Sequence, residues 1–301
     1  MIAAVTLTFV ASTPPSDVCG PRSVGPAAPG PPGQPGVPSL GAGAWKPWTA
    51  GVAVIAAFGL ALAGRATVST ATGDGADALL GGALVVLTAA PIALAVLLAN
   101  LHRRPTAHDF GFHRPPLRRA ISLATVVWFA LTALTVLWVT ALGLDGEEGQ
   151  ALTDRLGTDE TLSIVILIVV LTISGPLQEE FLFRGYVFRA LRNRQGVWPA
   201  ALTAGVLFAA THIGWIPIAF MVPIVLFGVG LCLLYHWTQS LYPGIALHAL
   251  HNSLPLAAAL HWTWQTPLLL VGSTLAALAI ARLIALRLGD RHHDPSTSTA
   301  S

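Results

Sequence analysis

Eight apolar stretches separated by short polar turns cover the chain from about residue 48 to residue 281. They run roughly over 48–64, 78–101, 120–143, 161–188, 198–213, 216–235, 241–260 and 264–281. A helix needs about 20 residues to cross a bilayer, so each stretch approaches or meets that length. The segment 198–213 is marginal alone but is bounded by "RNRQG" and "GWIP". The pattern predicts an all-α fold, a polytopic integral membrane helical bundle of about eight transmembrane helices. No internal repeat is visible, which weakens an inverted-repeat transporter reading.

The ends of the chain differ from this core. Residues 1–45 include "GPRSVGPAAPGPPGQPGVPSLGAGA", a Pro/Gly-rich composition that cannot build a core and predicts a disordered tail. The opening "MIAAVTLTFVA" is apolar but lacks a basic n-region, so it reads as tail rather than signal peptide. The expected organisation is a tail over 1–45, a transmembrane helical domain over 46–290 and a C-terminal tail over 291–301.

Composition supports the membrane reading. Hydrophobic residues make up 54% of the chain, charged residues only 10%, and the mean hydropathy is +0.68. Soluble domains rarely combine these values. A net charge of +2 is too small to suggest a nucleic-acid partner. Cys19 and Cys232 lie in unlike contexts, which argues against a disulfide or a cysteine metal site.

The arginines set the expected orientation. Arg103, Arg104, Arg114, Arg118 and Arg119 lie between the second and third stretches, and Arg189, Arg192 and Arg194 between the fourth and fifth. Arg282, Arg287 and Arg291 end or follow the eighth, whereas the alternate loops hold only Arg65 and Arg155. Arginine-rich loops stay cytoplasmic, so both termini are expected inside. The acidic loop with Asp145, Glu147, Glu148, Asp154, Asp159 and Glu160 is expected outside.

Against this background a few polar residues stand out. Glu179 and Glu180 are the two acids that fall within the apolar stretches. Carboxylates in hydrocarbon are costly and rarely idle. His212, His248, His251 and Asn252 are the other conspicuous polar groups of the later stretches, while His236 and His261 sit at segment ends. Glu179 and His212 lie nearly equal distances before and after the turn at 193–196, which predicts similar depth on an antiparallel helix pair. His248 counts as shallower, so it meets them only if the fourth and fifth helices protrude further into the cytoplasm.

Helical spacing then assigns faces. His248 and Asn252 are four apart and share one, and His251 could join them. Glu180 and Arg184 are also four apart, in the favourable acid-before-base order. Glu179 lies about 100° around the helix from Glu180. The expectation is that Arg184 holds Glu180 while Glu179 faces the bundle centre.

A carboxylate, imidazoles and a carboxamide in a partly dry cavity suit water-mediated amide hydrolysis. The bland reading for His251 and His236 is helix packing and hydrogen bonding, and it is preferred for both. A proton or ion pathway is the rival use of an intramembrane Glu and His. Glu179, His212 and His248 could in principle offer zinc three ligands with an open fourth position. The same residues could also work without metal, as base and oxyanion donors.

Glu179-Glu180-x-x-x-Arg184, Phe208-x-x-x-His212 and His248-x-x-x-Asn252 resemble the three signature motifs of the CPBP intramembrane proteases. This family includes the CAAX prenyl endopeptidases and bacteriocin-processing (Abi) proteins. The resemblance covers about 161–260 and implies a cavity open to the cytoplasmic side. It implies that Glu179 activates water with help from His212, that His248 and Asn252 stabilise the oxyanion, and that Glu180 and Arg184 support them. The implied partners are membrane lipid and a peptide or membrane-associated protein substrate, and the implied setting is a bacterial cell membrane. A glutamate mechanism without metal is slightly preferred over a metalloprotease. A non-proteolytic immunity or scaffold protein is the alternative, and a proton-coupled transporter a weaker one.

Overall fold

The computed structural model describes residues 45–70, 76–102, 104–144 and 161–289. The expected tails therefore fall outside the described residues, apart from Trp45, which is buried against Phe110 and Tyr186. Much of the acidic loop also falls outside them.

The described residues contain helices and no named strand, as apolar segments flanked by turns require once backbone groups must be paired within lipid. The helices are α1 (Pro47–Thr70), α2 (Ala76–Asn100), a single turn α3 (Ala107–Phe110) and α4 (Leu117–Leu142). After them comes a long helix, α5, over residues 161–195. Then follow α6 (Val197–Ala210), α7 (Met221–Thr238), α8 (Leu241–Ala259) and α9 (Thr266–Leu288).

Among the described residues, five segments are long and apolar enough to cross a membrane: Pro47–Gly64, Leu117–Leu142, Ile164–Gln195, Ile218–Thr238 and Thr266–Leu288. This supports a multi-pass membrane bundle without establishing the expected eight spans. Val197–Ala210 and the described apolar part of α2, Thr88–Asn100, are shorter. Helix α8 has the length, but His248, His251, Asn252 and Ser253 dilute its apolar character. That dilution is where the chemistry sits.

Large apolar side chains such as Leu117, Ile121, Phe129 and Leu137 face outward from α4, as lipid contact requires. Trp48, Trp198 and Trp237 are exposed at the start of α1, the start of α6 and the end of α7. Those ends are all expected on the cytoplasmic side, where an aromatic belt would anchor them.

Three features of packing position the site. First, α6 and α7 cross closely at paired glycines. A Cβ on Gly228 would lie 2.8 Å from the Gly205 Cα, so neither position has room for a side chain. Small residues let membrane helices approach in this way. Second, α5 is not a uniform α-helix. It is π-helical over Ile168–Ser174, α-helical over Gly175–Glu179 and π-helical again over Glu180–Phe188. Such wider turns occur frequently at functional sites.

Third, α5 extends well past the start of α8. A Cβ on Gly185 would touch Leu241, the first residue of α8, at 3.4 Å, and α5 continues from there to Gln195. Ten further residues at about 1.5 Å each account for the difference in depth. For the fourth helix this is the extension beyond α8 that convergence of His248 with Glu179 required.

The crevice beside this protrusion is filled by α3, within what reads in sequence as an arginine-rich loop. Phe110 and Phe112 are buried there against Phe181. The Thr106 backbone N–H and hydroxyl both donate to the Asp109 carboxylate, at 2.7 and 2.9 Å. The signal Thr106-x-x-Asp109 followed by Gly111 was available in the sequence.

Candidate functional site

Glu179 and Glu180 sit at the junction between the short α segment of α5 and its second π segment. The two acids differ sharply in environment. Glu180 is fully buried, whereas the Glu179 side chain keeps 24% of its exposure. One turn on, the Arg184 guanidinium approaches a Glu180 carboxylate oxygen at 2.8 Å and is itself fully buried. Arg184 also donates to the Gly228 carbonyl at 3.0 Å and lies 4.7 Å from the centre of the Phe208 ring. The close crossing of α6 and α7 thus supplies both the carbonyl and the ring that seat the guanidinium.

His248 on α8 joins the two carboxylates. Its Nδ1 lies 3.1 Å from the same Glu180 oxygen that Arg184 approaches, and its Nε2 lies 3.5 Å from Glu179. An ionised carboxylate only accepts, so His248 donates from Nδ1. That contact fixes the ring orientation and aims Nε2 at Glu179. Glu180 therefore orients the imidazole as well as pairing with Arg184, a link that spacing along one helix could not reveal.

His212 follows the end of α6 and closes the group from the other side. Its Nδ1 lies 3.0 Å from the Phe208 carbonyl, which can only accept, so this nitrogen carries a proton. Its Nε2 then points toward Glu179 at 3.9 Å, too long for a direct hydrogen bond. The Glu179 carboxylate stands between two imidazoles, each approaching a different oxygen. Phe208 packs against both rings, with centroids 4.8 Å from His212 and 5.9 Å from His248.

The remaining candidates lie apart from this cluster. Asn252 donates from its amide to the Leu171 carbonyl at 2.9 Å, inside the first π segment of α5. His251 stacks on Phe227 at 4.2 Å. Among the described residues no group of three His, Cys, Asp or Glu is arranged to hold a metal ion. Glu179, His212 and His248 are neighbours without forming such a set.

Gly244 was missed by sequence reasoning and has a clear structural part. A Cβ at this position of α8 would stand 2.6 Å from the second oxygen of Glu180. The carboxylate is held by Arg184 and His248 and has nowhere to move. Gly244→Ala should therefore lower the melting temperature of the purified protein by several degrees, from an overpacking cost of about 1–3 kcal/mol. A melt in detergent that matches the parent would show that α8 can shift without cost.

Comparison with known proteins bears on the same region. Residues 161–254 match the family described as Type II CAAX prenyl endopeptidase Rce1-like. This match supports the CPBP resemblance that the same residues carry. All seven motif residues of the CPBP resemblance, from Glu179 to Asn252, fall within the match. One curated relative is the "Putative membrane peptidase YdiL" of Bacillus subtilis (strain 168), 26% identical over 116 residues. That match covers 38% of this chain and 44% of the relative. Another is the "UPF0177 protein YxdF" of Lactococcus lactis subsp. lactis (strain IL1403), 33% identical over 102 residues. It covers 33% of this chain and 55% of that protein. The chain thus spans about half the length of these curated relatives. No solved structure matches.

Proposed function

We propose that the chain is an intramembrane endopeptidase that hydrolyses a peptide bond of a membrane-associated protein or peptide near the cytoplasmic face. The observation carrying this reading is the part-exposed Glu179 carboxylate set between the Nε2 atoms of His212 and His248. Beneath it the buried Glu180–Arg184 pair fixes one of those rings. The family match and the name of one relative favour a peptidase of CAAX type in general.

In this reading Glu179 takes a proton from a water held between itself and His212, and the water oxygen bonds to the substrate carbonyl carbon. The carbonyl π electrons move to oxygen, and His248, in its doubly protonated form, donates from Nε2 to that oxyanion. Collapse re-forms the carbonyl and breaks the C–N bond as Glu179 returns its proton to the leaving amine. The products are an amine and a carboxylic acid, which ionises to a carboxylate by losing the second water proton to solvent. General-base help contributes typically 10²–10⁴-fold, and oxyanion donors about as much again. No step in this scheme passes through a metal.

The arginine-rich loops favour cytoplasmic termini and a site entered from the cytoplasmic side, in a bacterial cell membrane. The test uses the full chain in proteoliposomes with prenylated CAAX-type peptides and leader-type peptides, cleavage being read by mass spectrometry. Comparison of new N-termini in membranes with and without the protein identifies natural substrates. Cleavage in one arm is expected. Its absence from every peptide and from the membranes would sink the protease reading and favour an immunity or scaffold role. Metal analysis of the purified protein, together with the effect of chelators on cleavage, tests the preference for a glutamate mechanism.

A further inference from the structure

Helix α5 contains a backbone defect just before Glu179, and Asn252 lies against it. The Gly175 N–H bonds the Val170 carbonyl, five residues back, as a π turn requires. A Cβ on Gly175 would fall 2.6 Å from that same carbonyl oxygen, so the turn closes only on glycine. Continuing that i,i+5 register, the nitrogen that would bond the Leu171 carbonyl is that of Pro176. Proline has no N–H to offer it. Inside a membrane bundle an unpaired carbonyl is costly, and water cannot easily repair it. The Asn252 amide, reaching across from α8, donates to this carbonyl at 2.9 Å.

We infer that Asn252 is a positioning residue whose side-chain amide replaces the backbone N–H that Pro176 lacks, pinning α8 to α5 so that His248 meets Glu179. The functional half of this inference rests on the protease reading. Two bonds hold the helices in register. One is His248 Nδ1 to Glu180, and the other is Asn252 to Leu171, four residues further along the same face of α8. Loss of the second lets α8 rotate or slide relative to α5. The 3.5 Å approach of His248 Nε2 to Glu179 then opens. This role differs from direct donation to an oxyanion, because one amide N–H is committed to a carbonyl of its own protein.

The experiment is a double-mutant cycle on the full chain with Asn252→Ala, Pro176→Ala and both together. Melting temperature in detergent is one readout, and kcat and KM for peptide cleavage are the other. Asn252→Ala should lower the melting temperature by about 5 °C, the effect of one unsatisfied buried group. It should lower kcat by about ten- to a hundredfold with KM changed little, since misplacement of about 1 Å is that costly. Pro176→Ala restores a backbone donor beneath Leu171, so in the double variant both losses should shrink to a small fraction.

Additive effects in both readouts, or a kcat loss with no change in melting and no rescue, would overturn the inference and restore a direct catalytic role. If Asn252→Ala alone gives no monodisperse protein, its recovery in the double variant supports the inference. Failure of the double variant too overturns it. If no variant and not the parent cleaves any peptide, the protease reading fails, while the melting cycle still decides what Asn252 does.

Discussion

Glu179→Gln is expected to lower peptide cleavage by at least about 10²-fold while leaving the fold intact. The substitution keeps shape and removes the negative charge that would accept a proton from water. Glu179 is the acid that the protein has not tied down: its side chain is part-exposed, and the imidazoles of His212 and His248 stand at 3.9 and 3.5 Å. Little stability depends on it, so the melting temperature should stay within about 2 °C of the parent, as for most substitutions away from tightly packed features. Glu180→Gln should behave differently and lose stability and turnover together, because that carboxylate holds both Arg184 and His248. Steady-state cleavage and detergent melts of the two variants, side by side, separate the roles of the adjacent acids. Retained cleavage in Glu179→Gln would remove the glutamate from the chemistry.

Much of this division of labour was readable from spacing. The i,i+4 relation of Glu180 and Arg184, the depth match of Glu179 and His212, and the shared face of His248 and Asn252 are properties of single helices or of one turn, which counting captures. What counting could not reach involves the backbone or a third helix. The second partner of His248 lies 68 positions away in sequence, and the partner of Asn252 is a main-chain carbonyl 81 positions away. The π segments leave no mark in hydrophobic periodicity, because most of Ile168–Ser174 is apolar. Gly244 reads as an ordinary helix-packing glycine until the Glu180 carboxylate is found against it. The expected count of eight spans treated length and apolarity as equivalent, whereas α8 gives up apolarity to carry the site.

Arg184→Leu is expected to cost about 3–5 kcal/mol, enough to lower the melting temperature by roughly 10 °C or more and to reduce the yield of monodisperse protein. The size of the effect follows from what is left behind. The Glu180 carboxylate is fully buried, and in the variant only the His248 imidazole would face it. The Gly228 carbonyl would lose its donor, and the face of Phe208 would lose the cation above it. Lysine should not rescue, because one ammonium cannot span the carboxylate, the carbonyl and the ring as the planar guanidinium does. The double variant Glu180→Leu/Arg184→Leu should be markedly more stable than Arg184→Leu alone, since replacing a buried pair by apolar groups is often close to neutral. It should nonetheless be poor in cleavage, because His248 would no longer be oriented. Melting curves and size-exclusion profiles of the four proteins test this cycle. An Arg184→Leu protein melting within about 2 °C of the parent would show that the ion pair contributes little, and that His248 is held by helix packing instead.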